Sequence, residues 1–401
     1  MPSRRRLPLA LTALSIAVGG GLIAVALSPT DTAPATVSAP APSVSPTESI
    51  GPAAYVTSPA PKPSVAPKSS TPPDNGLHVD CAKGDDGNSG TLAKPLRSIR
   101  AATSRASGRG SVIELARGCT WPTTVDLRGD GTRLTAYGTG PLPIIDGTGA
   151  DADSVVVLSG ENQVAENIRV TNATANAIEI QGEDSAVRSS TVDHAGVGVL
   201  LKARGASADR VTVSDLHMVL DTPGGDDDYG AIGFAVQAGD VEIGHSSCTA
   251  CRAPSNDYGY DGGFVEVWNY ADRLDVHDNT GSDIQGILEI GGDRTDSSAQ
   301  GITLRDNTFR DSHGGLVLHT EGTFAVAAAR IAITGNTITS TGPQDPPILD
   351  GDLSQVTFDG NTVSTASFVS HSAPARHRDN RITLRGGAEL GYPRDSTERL
   401  S

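Results

Sequence analysis

Two glutamates occupy equivalent positions in two short apolar segments of the sequence. Glu266 is flanked by two valines, and Glu289 is flanked by a leucine and an isoleucine. Side chains alternate between the two faces of a strand, so each glutamate should point outward while its neighbours point into a core. If the segments are adjacent parallel strands, about 4.8 Å apart, the two carboxyl groups become direct neighbours. Such groups cannot both ionise freely, so the pKa of one should rise, and the pair would supply an acid and a base or nucleophile.

Three further titratable residues extend this candidate catalytic group. Asp261 precedes the Glu266 segment, Asp293 follows the Glu289 segment, and His319 lies one segment later and could carry protons. Retaining glycosidases hold their two carboxyl groups about 5–5.5 Å apart, which neighbouring strands would allow. The sequence leaves two other interpretations open: a Ca²⁺ site built from carboxylate oxygens, or carboxylates that are simply solvated.

Two insertions, Asp221–Gly230 and Ala253–Gly263, interrupt an otherwise economical pattern of short strands. Each insertion precedes a strand of the same expected sheet, in consecutive coils, so the two loops should emerge side by side. Long loops on a rigid scaffold commonly carry function. Aromatic residues are only 4% of the chain, yet several cluster here, which fits sugar stacking; packing of the loops onto the scaffold is the alternative. The candidate substrate-binding residues are Asp228, Tyr229, Asp257, Tyr258, Tyr260, Trp268, Asp293 and Arg294.

The scaffold itself is predicted from a repeat of short alternating strands. One set of strands begins at Ile168, Val211, Val241, Leu274, Ile302, Ile331 and Val356. A second set comprises Ala177–Ile180, Gly198–Leu201, Phe264–Val267, Gly286–Ile290 and Gly315–Leu318. Repeats of roughly 20–30 residues are typical of one solenoid turn. Four turns end in Asn-Thr, at Asn279, Asn307, Asn336 and Asn361, where asparagine tolerates a left-handed backbone and can hydrogen-bond to the next coil.

The first folded residues resemble the N-terminal cap of secreted right-handed parallel β-helix proteins of the pectate-lyase-like superfamily. The matching pieces are Gly84–Thr91, Lys94–Leu96 and the pair Tyr137 and Gly138. The resemblance implies an all-β, right-handed parallel β-helix with a capping helix over its open end, which we expect within Ser98–Ser107. An internal asparagine ladder is characteristic of the same proteins, many of which are polysaccharide lyases or glycoside hydrolases.

The termini and cysteines indicate export. Three arginines precede an apolar run over residues 7–27, which predicts a cleaved signal peptide or a signal-anchor. Residues 28–75 are rich in Pro, Ala, Ser and Thr and predict a disordered linker. The β-helix should cover residues 76–370, and residues 371–401 should form a C-terminal cap or tail. The four cysteines suggest two disulfides, Cys81 with Cys119 and Cys248 with Cys251.

The net charge and the basic residues near the two insertions limit the partners and reactions that the sequence allows. A net charge of −16 argues against a nucleic-acid partner, because phosphates need a basic surface. Related polysaccharide lyases use a lysine or arginine as base; Arg252, Arg273 and Arg294 are available, but no lysine follows Lys202. The sequence therefore predicts a monomeric extracellular or cell-surface protein that hydrolyses, or alternatively cleaves by elimination, an extracellular polysaccharide, with Ca²⁺ as an optional cofactor. The competing prediction is a non-catalytic glycan-binding or structural surface protein, attached to a membrane only through its N-terminal segment.

Overall fold

The computed structural model describes residues 76–106, 108–340, 342 and 346–401. It contains one helix, α1 (Ile99–Arg105), and the following strands. The N-terminal strands are β1 (Leu77–Val79), β2 (Val112–Ala116), β3 (Thr120–Pro122), β4 (Val125–Leu127), β5 (Arg133–Tyr137), β6 (Ile144–Asp146), β7 (Ser154–Leu158), β8 (Val164–Glu166), β9 (Arg169–Ile180), β10 (Ala186–Arg188), β11 (Thr191–Leu201), β12 (Ser207–Asp209) and β13 (Thr212–Ser214).

The middle strands carry the two insertions and the residues between them. They are β14 (Met218–Leu220), β15 (Tyr229–Gly230), β16 (Ile232–Val236), β17 (Gly239–Gly244), β18 (Ser247–Cys251), β19 (Ala253–Ser255), β20 (Gly259–Asp261), β21 (Gly263–Trp268), β22 (Tyr270–His277), β23 (Thr280–Ile284) and β24 (Leu288–Gly291). The C-terminal strands are β25 (Ser298–Arg305), β26 (Thr308–Ser312), β27 (Leu316–Leu318), β28 (Ala327–Thr334), β29 (Thr337–Ser340), β30 (Leu349–Gly351), β31 (Val356–Asp359), β32 (Thr362–Thr365), β33 (Arg376–Arg378), β34 (Arg381–Leu384) and β35 (Arg399–Leu400).

These strands wind into a right-handed parallel β-helix, as the sequence predicted. Each coil contributes a strand to three faces in turn; β22, β23 and β24 make one such coil. The first face is a 12-stranded parallel sheet that runs from β1 to β33. The second face stacks β13, β18, β23, β26, β29, β32 and β34, and the third stacks β16, β21, β24, β27 and β30. Strands β9 and β11 are long enough to serve both of these faces.

The predicted repeat is reproduced by the strand register for most of the chain. On the first face, the first core-facing residues of the predicted repeat are register partners in successive coils, in the order Val241, Leu274, Ile302, Ile331 and Val356. Two residues that we aligned with them are placed differently. Ile168 and Val211 lie at the corner after the first face, where their backbone N–H groups donate to serine hydroxyls of the next coil. That misalignment arose because both residues are apolar and also begin an alternating segment.

The asparagine ladder is present at this corner, fully buried, and longer than the sequence indicated. The backbone N–H of each asparagine donates to Oδ1 of its counterpart in the next coil, at 2.9–3.0 Å, from Asn279 through Asn307, Asn336 and Asn361 to Asn380. The expectation of a left-handed backbone at the asparagines is wrong. The left-handed residue is the one before each, such as Asp278 and Asp306, with φ of 54° and 56°. That residue turns the chain, which leaves the asparagine free to point inward.

A helix covers the N-terminal end of the β-helix, whereas strand pairing continues almost to the last residue at the other end. At the N-terminal end, α1 packs against β1, β2 and β4 and buries Ile99 and Ala102, and its N-cap Ser98 accepts from the backbone of Ala101 at 3.1 Å. At the C-terminal end, parallel pairing continues beyond residue 370 through β33, β34 and β35. The ladder ends on the buried carboxylate of Glu398, which accepts from Asn380 at 2.9 Å.

The cysteines form the two disulfides that we expected, Cys81 with Cys119 and Cys248 with Cys251. The first ties the cap to the entry coils, and the second lies within β18. The predicted signal segment and linker, residues 1–75, lie outside the described residues. Within residues 76–106, 108–340, 342 and 346–401, no helix is long and apolar enough to cross a membrane.

Candidate active site

One outward-facing position of each third-face strand forms a continuous row across the coils. Glu266 of β21 and Glu289 of β24 are register partners in this row, so the two side chains leave adjacent strands at the same level. Ala235 precedes them and Val317 follows. The complete row is Asp126, Val157, Glu179, Leu200, Ala235, Glu266, Glu289, Val317 and Asp350. The pairing of two carboxyl groups is therefore fixed by backbone register rather than by a flexible loop.

The two insertions are antiparallel hairpins, β14 with β15 and β19 with β20, that stand beside this row. They are joined by carboxylates. Asp257 accepts from the backbone N–H groups of Gly224 and Asp227 at 2.7 and 3.1 Å, and Asp228 accepts from Ser255 Oγ and the Asp257 backbone at 2.8 and 3.0 Å. Burial acts to raise the pKa of Asp228, but these hydrogen bonds lower it below its ordinary value. Asp228 and Asp257 thus hold the wall of the site together.

The hairpins and the third face enclose a groove of about 890 Å³. Ten of the twelve predicted site residues line it: Asp228, Tyr229, Tyr258, Tyr260, Asp261, Glu266, Trp268, Glu289, Asp293 and His319. Asp257 and Arg294 do not line it. Asp257 lies in the hairpin joint, and Arg294 forms a two-bond ion pair with Asp296, at 2.9 Å for each bond. Sequence spacing alone could not separate these two from the rest, because it does not show where a loop residue points.

Glu266 lies beside two other carboxyl groups, those of Glu289 and Asp261. Within the described residues its carboxyl group accepts no hydrogen bond; burial, and the negative charges of Glu289 and Asp261, raise its pKa well above the ordinary value of 4.5. An ionised carboxylate without a hydrogen-bond donor in such surroundings is unfavourable. These surroundings therefore favour the protonated form of Glu266 more than water does.

Glu289 has different surroundings, because His319 Nε2 lies 2.8 Å from its Oε1. This contact, together with the charge of Glu289, raises the pKa of His319 against the effect of burial. The imidazole reaches this position because Gly291 lies between His319 and Trp268, where a Cβ would come within 2.9 Å of both rings. Phe324 packs against both rings, with centroids 5.3 Å from Trp268 and 5.9 Å from His319.

Asp261, at the end of the second hairpin, is the third carboxyl group of the site. Burial, the charge of Glu289 and the charge of Asp228 raise its pKa to about 7, although the backbone N–H of Gly262 donates to it at 2.7 Å. Three mutually repelling carboxyl groups with one imidazole create a site that exchanges protons near neutral pH. Such a site can protonate a leaving group and keep a second carboxylate ionised.

The raised pKa of Asp261 predicts a pH dependence of stability. Between its ordinary value near 4 and about 7, the folded protein binds more protons than the unfolded chain, so the free energy of unfolding falls as pH rises. Glu266 and His319 act in the same direction. Because Asp261 is partly exposed, we expect about 2 kcal/mol from it, half of what the full shift would give.

Thermal unfolding followed by circular dichroism between pH 5 and pH 8 checks this dependence. The melting temperature should fall as pH rises. Asp261→Asn should make this decrease smaller, whereas the control Asp151→Asn, at an exposed aspartate, should leave it unchanged. A slope that is identical in the wild type and in Asp261→Asn would contradict the raised pKa.

The groove aromatics differ in what they offer a ligand. Tyr229, Tyr258 and Tyr260 are each nearly half exposed. Tyr258 donates its hydroxyl to Asp226 at 2.9 Å, and one face of Tyr260 is covered by the guanidinium of Arg252, 3.8 Å from the ring centroid. The tyrosines therefore combine loop packing with exposed rings, and both alternatives raised by the sequence apply in part.

Basic groups are scarce in the groove. None of the three arginines considered as lyase bases lines it; Arg252 contacts Tyr260, and Arg273 is paired with Asp240 on the first face. Lys202 does line the groove, which sequence reasoning missed, but its Nζ lies 3.1 Å from Glu179 Oε1.

The other half of the groove is aliphatic, which the sequence pattern did not predict. Val197, Ile232 and Ala235 form an outward cluster on β11 and β16, with Leu200 packed against it. Phe324, which packs on Trp268, was also missed, because it lies in a turn with no strand pattern around it. The groove thus joins an apolar half to a carboxylate half along one face.

A cation has one set of candidate ligands in this part of the protein. Carboxylate oxygens of Asp227, Asp228 and Asp257 lie within 4.8 Å of one another. Oxygens of Asp228 and Asp257 already accept backbone hydrogen bonds that join the hairpins. Ca²⁺ binding therefore stays a prediction.

The fold and the groove define a class: a right-handed parallel β-helix with a lateral acidic groove. No protein-family model matches the sequence, and a search of curated proteins finds no match. Among solved structures, the chain is similar to XylC in its complex with xylose, at 11% identity over 81% of this chain and 85% of that one, with a TM-score of 0.51.

Two further solved structures have similar coverage. A double mutant of the tailspike protein of E. coli bacteriophage HK620 matches at 12% identity over 81% of this chain and 67% of that one, with a TM-score of 0.52. The GH136 lacto-N-biosidase from Eubacterium ramulus matches at 14% identity over 82% and 67%, with a TM-score of 0.43. At such identities the first two likenesses show the shared fold alone, and the third carries no argument.

Proposed function

We propose that this chain is an exported glycoside hydrolase that cleaves a neutral extracellular polysaccharide in the groove of the third face. The observation that carries the proposal is the register pairing of Glu266 and Glu289 in contrasting surroundings. Glu289 has a histidine partner, with His319 Nε2 2.8 Å from its Oε1, whereas burial and the charges of Glu289 and Asp261 raise the pKa of Glu266 well above its ordinary value. Two carboxyl groups whose surroundings separate their pKa values are the usual basis for an acid and a nucleophile.

The strand spacing of about 4.8 Å fits the carboxyl separation of retaining enzymes. Glu266 donates its proton to the glycosidic oxygen while the carboxylate of Glu289 attacks the anomeric carbon, so the glycosidic bond breaks and a glycosyl ester forms. Glu266, now ionised, takes a proton from water, whose oxygen attacks the anomeric carbon and releases Glu289. His319 positions Glu289, and the negative charges of Glu289 and Asp261 add to the raised pKa of Glu266.

The charge of the groove supports a neutral substrate. Asp226, Asp227, Asp261 and Asp293 join the two glutamates in its lining, while Lys202 is already paired. A polyuronate would be repelled at this site, and elimination would lack a free base. The xylose that XylC binds is a neutral sugar, which agrees with this substrate class. Glycan binding without turnover is the competing function, and the half-exposed tyrosines of the rim fit it equally well.

The proposal is tested with the full chain on a neutral xylan, a neutral glucan and a polygalacturonate. We expect new reducing ends from a neutral polymer without the ultraviolet absorbance of an unsaturated uronate. Absorbance from polygalacturonate would instead indicate a lyase. Retention of a glycan without new reducing ends would leave a binding protein.

Stacking on Trp268 makes a separate prediction. Trp268→Ala removes the indole beside the carboxylates, and we expect glycan affinity to fall about tenfold, a loss of ~1.4 kcal/mol. The matched control is Tyr270→Ala, since Tyr270 is a half-exposed aromatic on the first face, outside the groove lining. Affinity gel electrophoresis or calorimetry measures both variants. Equal affinity in the two would exclude Trp268 from the binding surface.

A further inference from the structure

Two histidines meet on neighbouring coils at the corner that follows the first face, away from the groove. His277 is the last residue of β22, and His245 directly follows β17. The register places His277 beside Gly244, so the two histidines belong to stacked turns. Their rings lie edge to face with centroids 5.4 Å apart. Both side chains are attached to rigid strand ends rather than to a mobile loop.

The ring of His277 is almost completely buried. It lies across Gly244, where a Cβ would come within 2.8 Å of its Cε1 atom, and the residue is only 7% exposed. Its Nδ1 is 2.9 Å from Asp278 Oδ2, and its Nε2 is 3.0 Å from Glu242 Oε1. A neutral imidazole has one N–H and can donate to only one carboxylate. Two carboxylates on one ring therefore call for a positive charge, carried by a second proton or by a metal ion.

His245 has a matching arrangement. Its Nδ1 is 3.0 Å from Asp209 Oδ1, so an Nδ1–H can donate to that carboxylate and leave Nε2 as a lone-pair donor. A histidine whose other nitrogen is held by a carboxylate is the usual form of a metal ligand, because the partner fixes the ring and raises its basicity. Both histidines of this corner have such a partner, Asp209 for His245 and Glu242 for His277.

We infer that His245, His277 and Asp278 form a site for a divalent transition metal, with Zn²⁺ as the expected ion. Ligand atoms of these three residues lie within 4.8 Å of one another. Two imidazoles and one carboxylate suit zinc, whereas Ca²⁺ prefers oxygen ligands alone. The His277 nitrogen that faces Asp278 binds the ion, and Nε2 keeps its hydrogen bond to Glu242. Arg305, the register neighbour on the next coil, is bonded to Asp275 at 2.8 and 3.1 Å.

Bound at this corner, the ion links two successive coils at the turns that carry Ser246 and Asn279 of the ladder. The proposed role is structural: the metal replaces the proton between His277 Nδ1 and Asp278, and it clamps the coil that bears the second hairpin to the coil that follows it. It is independent of the groove, since none of its ligands lines that cavity.

The test is Zn²⁺ titration of the full chain by calorimetry, with Co²⁺ absorption as a second readout of nitrogen ligation. We expect one ion per chain, at least a tenfold loss of affinity in His245→Ala and His277→Gln, and about a tenfold loss in Asp209→Asn. His194→Ala is the matched control, because His194 has the same left-handed turn (φ 53°) and an aspartate on Nδ1 at 2.8 Å.

His245 is exposed, so His245→Ala should fold even if His277→Gln does not. Glu289→Gln should bind Zn²⁺ as the wild type does, which separates this site from the groove. No stoichiometric binding, or unchanged affinity in His245→Ala and Asp209→Asn, would overturn the inference. Equal weakening in His194→Ala would also overturn it, because it would indicate unspecific binding to surface histidines.

Discussion

Replacement of Glu289 by Gln should lower turnover of the neutral glycan by about a thousandfold or more while the protein stays folded. The amide keeps the shape of the side chain but can neither attack the anomeric carbon nor balance the positive charge that develops there. Acid–base and nucleophilic groups at such positions contribute roughly 10²–10⁴-fold each. Glu289 is partly exposed and bonded to His319, so the exchange should cost little stability.

Glu266→Gln should lower turnover by a similar factor, but the loss should depend on the leaving group of the substrate. Substrates with an activated leaving group need little protonation, so their cleavage should be affected less in Glu266→Gln than in Glu289→Gln. The double variant should be little worse than either single variant, because the two residues act in one sequence of bond changes. Initial rates of reducing-end release, measured across pH, give both comparisons.

The control for both variants is Asp126→Asn. Asp126 occupies the same outward row of the third face but lies outside the groove, so any general effect of removing a row carboxylate appears there too. Its turnover should match that of the wild type. If Glu289→Gln and Asp126→Asn behave alike, the paired glutamates are not the catalytic group, and binding without catalysis becomes the better account.

Much of the architecture was accessible from sequence because a solenoid repeats its constraints. Leu274, Ile302 and Ile331 recur at the same level of successive coils, and each repeat strengthens the inference from the others. The pairing of Glu266 with Glu289 followed from the same logic, since each lies between two core positions of a third-face strand. Alternation and repeat length are local properties, and local properties are visible in a sequence.

What escaped prediction depends on contacts between distant residues. Asp228 and Asp257 are of a residue type that often binds ligands, but their carboxylate oxygens accept hydrogen bonds from backbone N–H groups of the opposite hairpin. Lys202 lies two coils from Glu266 in the groove and was discounted because only its position in the sequence was considered. The ladder was recognised from its Asn-Thr signature, so its serine members, Ser190 and Ser246, and its last acceptor, Glu398, were missed.

Asn307→Ala should strongly destabilise the β-helix core. The Oδ1 atom of Asn307 accepts from both nitrogens of Asn279, at 2.9 and 3.0 Å, and its Nδ2 donates to Asn336 and to the carbonyl of Val276. Alanine leaves the backbone N–H of Asn279 buried without a partner and removes the Nδ2 bonds to Asn336 and to the carbonyl of Val276. Each unsatisfied buried group costs about 1–3 kcal/mol, so we expect the free energy of unfolding to fall by roughly 3–5 kcal/mol.

The chain supplies the matched comparison for this change, because serine already occupies two ladder positions. Ser246 Oγ accepts from the backbone N–H of Val211 at 3.0 Å, which is the bond that Asn307 provides to Asn279. Asn307→Ser should therefore recover about 1–2 kcal/mol relative to alanine. Denaturant unfolding followed by circular dichroism measures both. If serine and alanine are equally destabilising, the loss comes from the cavity they leave, and the hydrogen-bonded ladder is not what stabilises the corner.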